Sequence, residues 1–179
     1  MLLIAVRIRL ESPGGALFRQ RRAGLNGEPF EIWKFRTMRS DVDPYGGSPR
    51  GAEDVRLTRL GRRLRETSLD ELPQLVNVLT GRMSLVGPRP LYERQAEQWD
   101  DRQRHRLDVK PGITGYAQAF GRGGMTIEDK IEFDLYYVKN HSFMMDLAIL
   151  CRTVVNILVR REGDVYEKRY SRSRETERD

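Results

Sequence analysis

Residues 67–75 read TSLDELPQL, placing the acids Asp70 and Glu71 just ahead of Pro73. The spacing predicts a helix over 70–80. Leu72, Leu75, Val76 and Leu79 recur as one helix face, and Gly81 stands where a C-terminal stop belongs. With Asp70 at or beside the N-cap, Pro73 falls in the first turn, where its missing N–H has no intrahelical partner to lose. In the other reading Ser68 is the cap, Glu71 closes a capping box and Pro73 sits deeper. Either way both carboxylates belong at a helix mouth, where acids accept backbone N–H bonds and meet the positive end of the dipole. Capping alone does not need both.

The segments on either side bring cations toward that mouth. Residues 16–38, ALFRQRRAGLNGEPFEIWKFRTM, alternate apolar and polar on both sides of Asn26-Gly27 and predict a β-hairpin ending in Lys34 and Arg36. Residues 39–54 are polar and rich in Gly and Pro, and read as a loop. A short basic helix follows, with leucines at 57, 60 and 64 and arginines at 59, 62, 63 and 65. Downstream, MSLVGPRP reads as a strand entering a stiff turn, with Arg89 held between Pro88 and Pro90. A guanidinium on such a support suits bidentate capture of phosphate or carboxylate.

Residues 91–107 read as one charged, solvated helix, and the glycine-dense run 110–126 as backbone able to approach a ligand closely. That run fits no strict nucleotide-binding fingerprint. Thr126 with Asp129 predicts a capped helix, and Ser142 opens a second, largely apolar one suited to core packing or an interfacial position. The charged residues 161–179 read as a disordered tail.

The whole chain of 179 residues carries a net charge of +6 and one cysteine, Cys151. No internal disulfide can form, which favours a reducing compartment, and the positive charge favours an anionic partner. Nucleic acid is disfavoured, since the aromatics form no stacking platform and no reading-helix motif occurs. MLLIAVRIRL at the N-terminus is too short to cross a bilayer, and reads either as a first core element or as a segment lying against a membrane.

A cation-lined helix mouth is an anion site, yet each close carboxylate would repel an anionic substrate by about 4 kcal/mol at an effective dielectric near 20. The conflict resolves if one carboxylate holds Mg²⁺ against a phosphate while the other attacks or activates, and a carboxylate can itself form an aspartyl phosphate.

KFRTM (34–38), LRETSLDELPQLVNVLTGRMSLVGPRP (64–90), KPGITGYAQAFGR (110–122) and FDLYYVKNHSFMMDLAIL (133–150) together resemble the monotopic phosphoglycosyl transferases, or bacterial sugar transferases. The resemblance implies transfer of a sugar 1-phosphate from a UDP-sugar to polyprenyl (undecaprenyl) phosphate at the cytoplasmic face of the plasma membrane. UMP is released, and the product begins assembly of an exopolysaccharide, O-antigen or glycoprotein glycan. It further implies Asp70 as nucleophile on the β-phosphate, Glu71 as Mg²⁺ partner, and Lys34, Arg65, Arg89, Arg122 and Asp134 as active-site positions. The lysine and arginines fall to the diphosphate and lipid phosphate, with the role of Asp134 open.

Family members begin with a longer re-entrant membrane helix that bends at a Ser-Pro break. The expected fold is therefore α+β and predominantly helical: a compact single domain with a small β-hairpin, interfacial helices and the remnant of that re-entrant helix. The expected parts are a partial membrane-associated segment (1–11), a catalytic domain (12–160) and the tail (161–179). The helix opened by Ser142 offers a surface for a homodimer. A metal-dependent phosphohydrolase and a non-catalytic membrane-associated scaffold are the rival readings.

Overall fold

The computed structural model describes residues 1–43, 49, 51, 53–121 and 125–159. The arrangement is α+β, with helices around two small sheets. Helix α1 (Leu2–Glu11) ends at Ser12, whose extended backbone before Pro13 breaks the helix. Strands β1 (Leu17–Ala23) and β2 (Pro29–Phe35) form the expected antiparallel hairpin, registered from Leu17 opposite Phe35 to Ala23 opposite Pro29. Its turn uses left-handed backbone at Asn26 (φ 54°) and Gly27 (φ 80°), which explains the Asn-Gly pair. Phe35 packs with Ile8 of α1 and Leu64 of α2 (Arg59–Glu66), while Phe30 and Ile32 pack with Met83.

The helix expected over 70–80 is divided. A 3-10 turn covers Leu69–Glu71, and α3 (Gln74–Leu79) begins only after Pro73. Its buried side is also not the leucine face: Gln74 and Asn77 are buried, whereas Leu75 and Leu79 are exposed. The reason is a hydrogen-bonding demand. The Asn77 carboxamide donates to the Glu31 carbonyl (2.7 Å) and accepts from the Trp33 N–H (3.0 Å), satisfying the open edge of β2 where a third strand would pair. Gly81 (φ 75°) ends α3 as expected.

Strand β3 (Ser84–Val86) runs parallel to β4 (Gly112–Thr114), and Gly112 and Gly115 of the glycine-dense segment allow the close backbone approach of this pairing. A Cβ on Gly112 would lie 2.1 Å from the Gly87 nitrogen, and one on Gly115 2.2 Å from the Gly87 oxygen. Residues 91–107 are not one helix. They form α4 (Glu93–Glu97), α5 (Asp101–Arg104) and a 3-10 turn (His105–Leu107), broken where Trp99 is buried and Asp100 caps the second piece.

Helix α6 (Tyr116–Phe120) follows β4. Helix α7 (Ile127–Asn140) carries the predicted Thr126/Asp129 capping box, and α8 (Phe143–Val159) the predicted Ser142 start. Val86, Ala119, Tyr137 and Ile149 form the core joining these helices to the second sheet. Helices α1 and α8 each bury a single residue, Ile8 and Ile149, and expose Leu2, Leu3, Leu10, Phe143, Met144 and Leu158. Among the described residues no helix is long and apolar enough to cross a membrane. The tail 161–179 lies outside the described residues.

Replacing Gly112 by Ala is expected to cost about 3 kcal/mol, because the new methyl meets backbone that cannot swing aside. Gly51→Ala, with nothing among the described residues within 4 Å, should stay within about 0.5 kcal/mol of the parent. Denaturant titration of both variants checks the contrast, and equal stabilities would refute the close β3–β4 packing.

Candidate active site

The chain enters the acidic pair through Ser68, a non-glycine residue in left-handed backbone (φ 57°), of the kind that costs about 1–3 kcal/mol and clusters at functional sites. The Ser68 side chain makes no cap bond, so the capping-box reading does not hold. The turn at 69–71 then buries both acids, leaving Asp70 3% and Glu71 7% exposed.

A buried carboxylate needs partners, and Glu71 has two cations on one oxygen. Lys34 Nζ from β2 lies 3.2 Å from Oε1, and Arg89 Nη2 donates to the same atom at 2.9 Å. Each comes from a different part of the fold, the hairpin and the turn between Pro88 and Pro90. Removing one member of such a buried pair commonly costs about 3–5 kcal/mol. Gln74, nearly one helical turn past Glu71, keeps its Nε2 donor buried with no hydrogen-bond partner among the described residues.

The other cations divide. Arg65 is buried on α2, and its Nε donates to Thr37 Oγ1 (2.8 Å). That approach needs Gly61, where a Cβ would stand 2.0 Å from the Thr37 oxygen. Arg59 and Arg63 face solvent. Arg36 does not join the acids: it donates to the Ser12 carbonyl (2.8 Å), to Ser12 Oγ (3.0 Å) and to the Pro13 carbonyl, fixing the turn that follows α1. Arg122 lies outside the described residues.

Asp134, on α7, is buried rather than presented to an open surface. Arg106 Nη2 donates to its Oδ2 at 2.5 Å, and Lys130 stands one turn earlier on the same face. Burial pushes the Asp134 carboxyl up, against the opposing pull of Arg106, Lys130 and Arg89. Burial, helped by the Arg89 charge and opposed by Asp134, brings Lys130 down to about 8.

Sequence reasoning missed Thr37, Gln74, Arg106 and Lys130. Arg106 sits in the run RQRHR that resembles any solvated stretch, and only the apolar Trp99 nearby signals burial.

The donor chemistry fits Mg²⁺. Asp70 and Glu71 offer hard oxygens, and Mg²⁺ is commonly held by one or two carboxylates plus substrate phosphates. Among the described residues no group of three or more His, Cys, Asp or Glu forms a self-contained metal site.

The model of the bacterial sugar transferase family matches residues 1–160, and the chain belongs to that family. It is 48% identical over 157 residues to the uncharacterized sugar transferase EpsL of Bacillus subtilis, covering 88% of this chain and 76% of that protein. It is also 48% identical over 168 residues to a UDP-glucose:undecaprenyl-phosphate glucose-1-phosphate transferase of Caulobacter vibrioides, covering 88% of this chain and 62% of that one. With a UDP-N-acetylgalactosamine-undecaprenyl-phosphate N-acetylgalactosaminephosphotransferase of Aeromonas hydrophila the identity is 42% over 164 residues, 88% of this chain but 39% of the relative.

Lys130 gives stability a pH dependence. The folded chain sheds this proton near pH 8 while the unfolded chain holds it into the usual lysine range, so this group's contribution to stability falls as pH drops from that range toward 8. Titration of ¹³C-methylated lysines by NMR should show one resonance, lost in Lys130→Met, with a midpoint near 8. A midpoint in the range of exposed lysines would show that Lys130 is not desolvated beside Arg89.

Proposed function

We propose that this chain transfers a sugar 1-phosphate from a UDP-sugar to polyprenyl phosphate through a covalent intermediate on Asp70. The observation that carries the reading is a buried Asp-Glu pair whose Glu71 is held by two cations from separate elements. The relatives' names supply the reaction class, UDP-sugar to undecaprenyl-phosphate transfer.

In the first step an Asp70 carboxylate oxygen attacks the β-phosphorus, the bond from that phosphorus to the bridging oxygen breaks, and UMP leaves with the electron pair. In the second, an oxygen of the lipid phosphate attacks the same phosphorus and expels the carboxylate, giving a sugar diphosphate lipid and free Asp70. Splitting the reaction lets one cationic cleft serve two anionic substrates in turn.

Lys34 and Arg89 act as fixed positive charges where phosphate charge develops, and their attachment to Glu71 places them before substrate arrives. Arg65, and Arg122 by resemblance, add to that field. Mg²⁺, held by Asp70 and Glu71 when bound, supplies neutralisation of the diphosphate charge.

A lipid acceptor calls for a membrane surface, and the family resemblance supports its cytoplasmic face. The exposed leucines of α1 and the apolar side chains of α8 form the interfacial surface.

Asp70→Asn should lower UMP release by on the order of 10³-fold or more while thermal unfolding stays near that of the parent. Intact-protein mass after exposure to donor alone should show a phosphosugar adduct mapping to Asp70, and excess chelator should stop turnover. No adduct together with an active Asp70→Asn variant sinks the proposal. Free sugar phosphate formed without polyprenyl phosphate would point to a hydrolase, and unchanged biological activity of Asp70→Asn to a scaffold.

A further inference from the structure

Arg89 meets Glu71 through its side chain, but its main chain is held from elsewhere. Arg106 is 2% exposed, and its guanidinium lies 4.8 Å from the centre of the Trp99 ring. Its Nη2 makes two bonds at once, to Asp134 Oδ2 at 2.5 Å and to the carbonyl oxygen of Arg89 at 2.8 Å. The next carbonyl, that of Pro90, accepts from Arg22 Nη1 at 3.4 Å, and Arg22 in turn stacks over Tyr92. Two arginines therefore grip successive carbonyls of the turn that carries Arg89.

Taking a charge out of water is costly, and apolar residues of similar volume often serve stability as well or better, while Arg106 Nε stays buried with no hydrogen-bond partner among the described residues. Both bonds leave one nitrogen, so the Asp134 carboxylate fixes the orientation of the group that fixes Arg89. With Pro88 and Pro90 restricting φ on either side, a guanidinium clamped at the carbonyl leaves the turn little room to shift. A continuous chain of bonds thus runs from α7 through Arg106 to the turn and on to Glu71.

We infer that Arg106, oriented by Asp134, is a positioning residue for the reaction: it sets the backbone of Arg89 so that the Arg89 guanidinium and Glu71 stand where the phosphoryl group reacts. Asp134 on this account touches no substrate and acts through Arg106. The inference rests on the proposed transfer activity for its kinetic consequence, and on geometry alone for its structural one.

The direct test removes both buried charges together, Arg106→Met with Asp134→Leu, because either change alone strands a partner and risks unfolding. The double variant is expected to melt as a folded protein with UDP-sugar KM within about threefold of the parent. Its kcat for UMP release should fall on the order of 10²-fold, the size expected from displacing a reacting group by about 1 Å. A second arm repeats the paired change in an Arg89→Ala background, where it should add almost nothing, since the group it positions is gone.

Wild-type kcat in the double variant, or a loss that adds in full to that of Arg89→Ala, would overturn the inference. Arginine side-chain NMR reads the same device without catalysis. The Arg89 Nη–H signals, slowed by Glu71 in the parent, should collapse to an averaged signal in the double variant, and unchanged signals would overturn the positioning role even in a chain that transferred nothing. Failure of the parent to release UMP from any donor would instead strike the proposed function and leave the NMR result standing.

Discussion

The structure turns on a single oxygen atom. Glu71 Oε1 takes both Lys34 and Arg89, and it does so inside the protein, where an unpaired carboxylate would be intolerable. That requirement binds three distant pieces of chain: the end of a hairpin strand, a 3-10 turn and a proline-flanked turn. Each is then constrained by its own neighbours, and much of the fold can be understood as the means of bringing these three pieces to one place.

The hairpin is steadied by Asn77, whose amide completes the edge of β2 and so ties the strand bearing Lys34 to the helix that follows the acidic pair. The β3–β4 pair is steadied by glycine: backbone meets backbone without side chains between, and the Pro88–Pro90 turn leaves that pair at a defined height. Helix α2 docks by the same device at Gly61, which lets Arg65 reach Thr37. Polar and glycine contacts thus align the site, while the three apolar clusters hold the layers together. This division is physically sensible. Apolar burial is non-directional, whereas hydrogen bonds and close backbone contacts set distances.

The local elements were legible where local chemistry decides them. The Asn-Gly hairpin, the Thr126/Asp129 capping box, the helix start at Ser142 and the stop at Gly81 each rest on a few adjacent residues. Periodicity failed where tertiary demands outweighed it. Leu72, Leu75, Val76 and Leu79 mark one face of a helix, yet the buried side carries Gln74 and Asn77, because the sheet edge needed hydrogen bonds more than α3 needed to hide its leucines. The run 91–107 is charged enough to read as solvated, yet Trp99 and Arg106 lie inside, joined ring to guanidinium.

From sequence alone came the acidic pair as the centre, the class of chemistry a metal-compatible Asp-Glu dipeptide among arginines and lysine supports, and the resemblance to bacterial sugar transferases that the family match bears out. Which cations reach that centre was a tertiary matter. Arg36 and Lys34 are two residues apart on one strand, yet Lys34 serves Glu71 and Arg36 the Ser12-Pro13 turn. Arg106 and Asp134, 28 positions apart, become a single buried unit behind Arg89. Charge along a chain says how many cations are available, but an ion pair a few ångströms across is decided by which backbones pack together, and packing is a property of the whole fold.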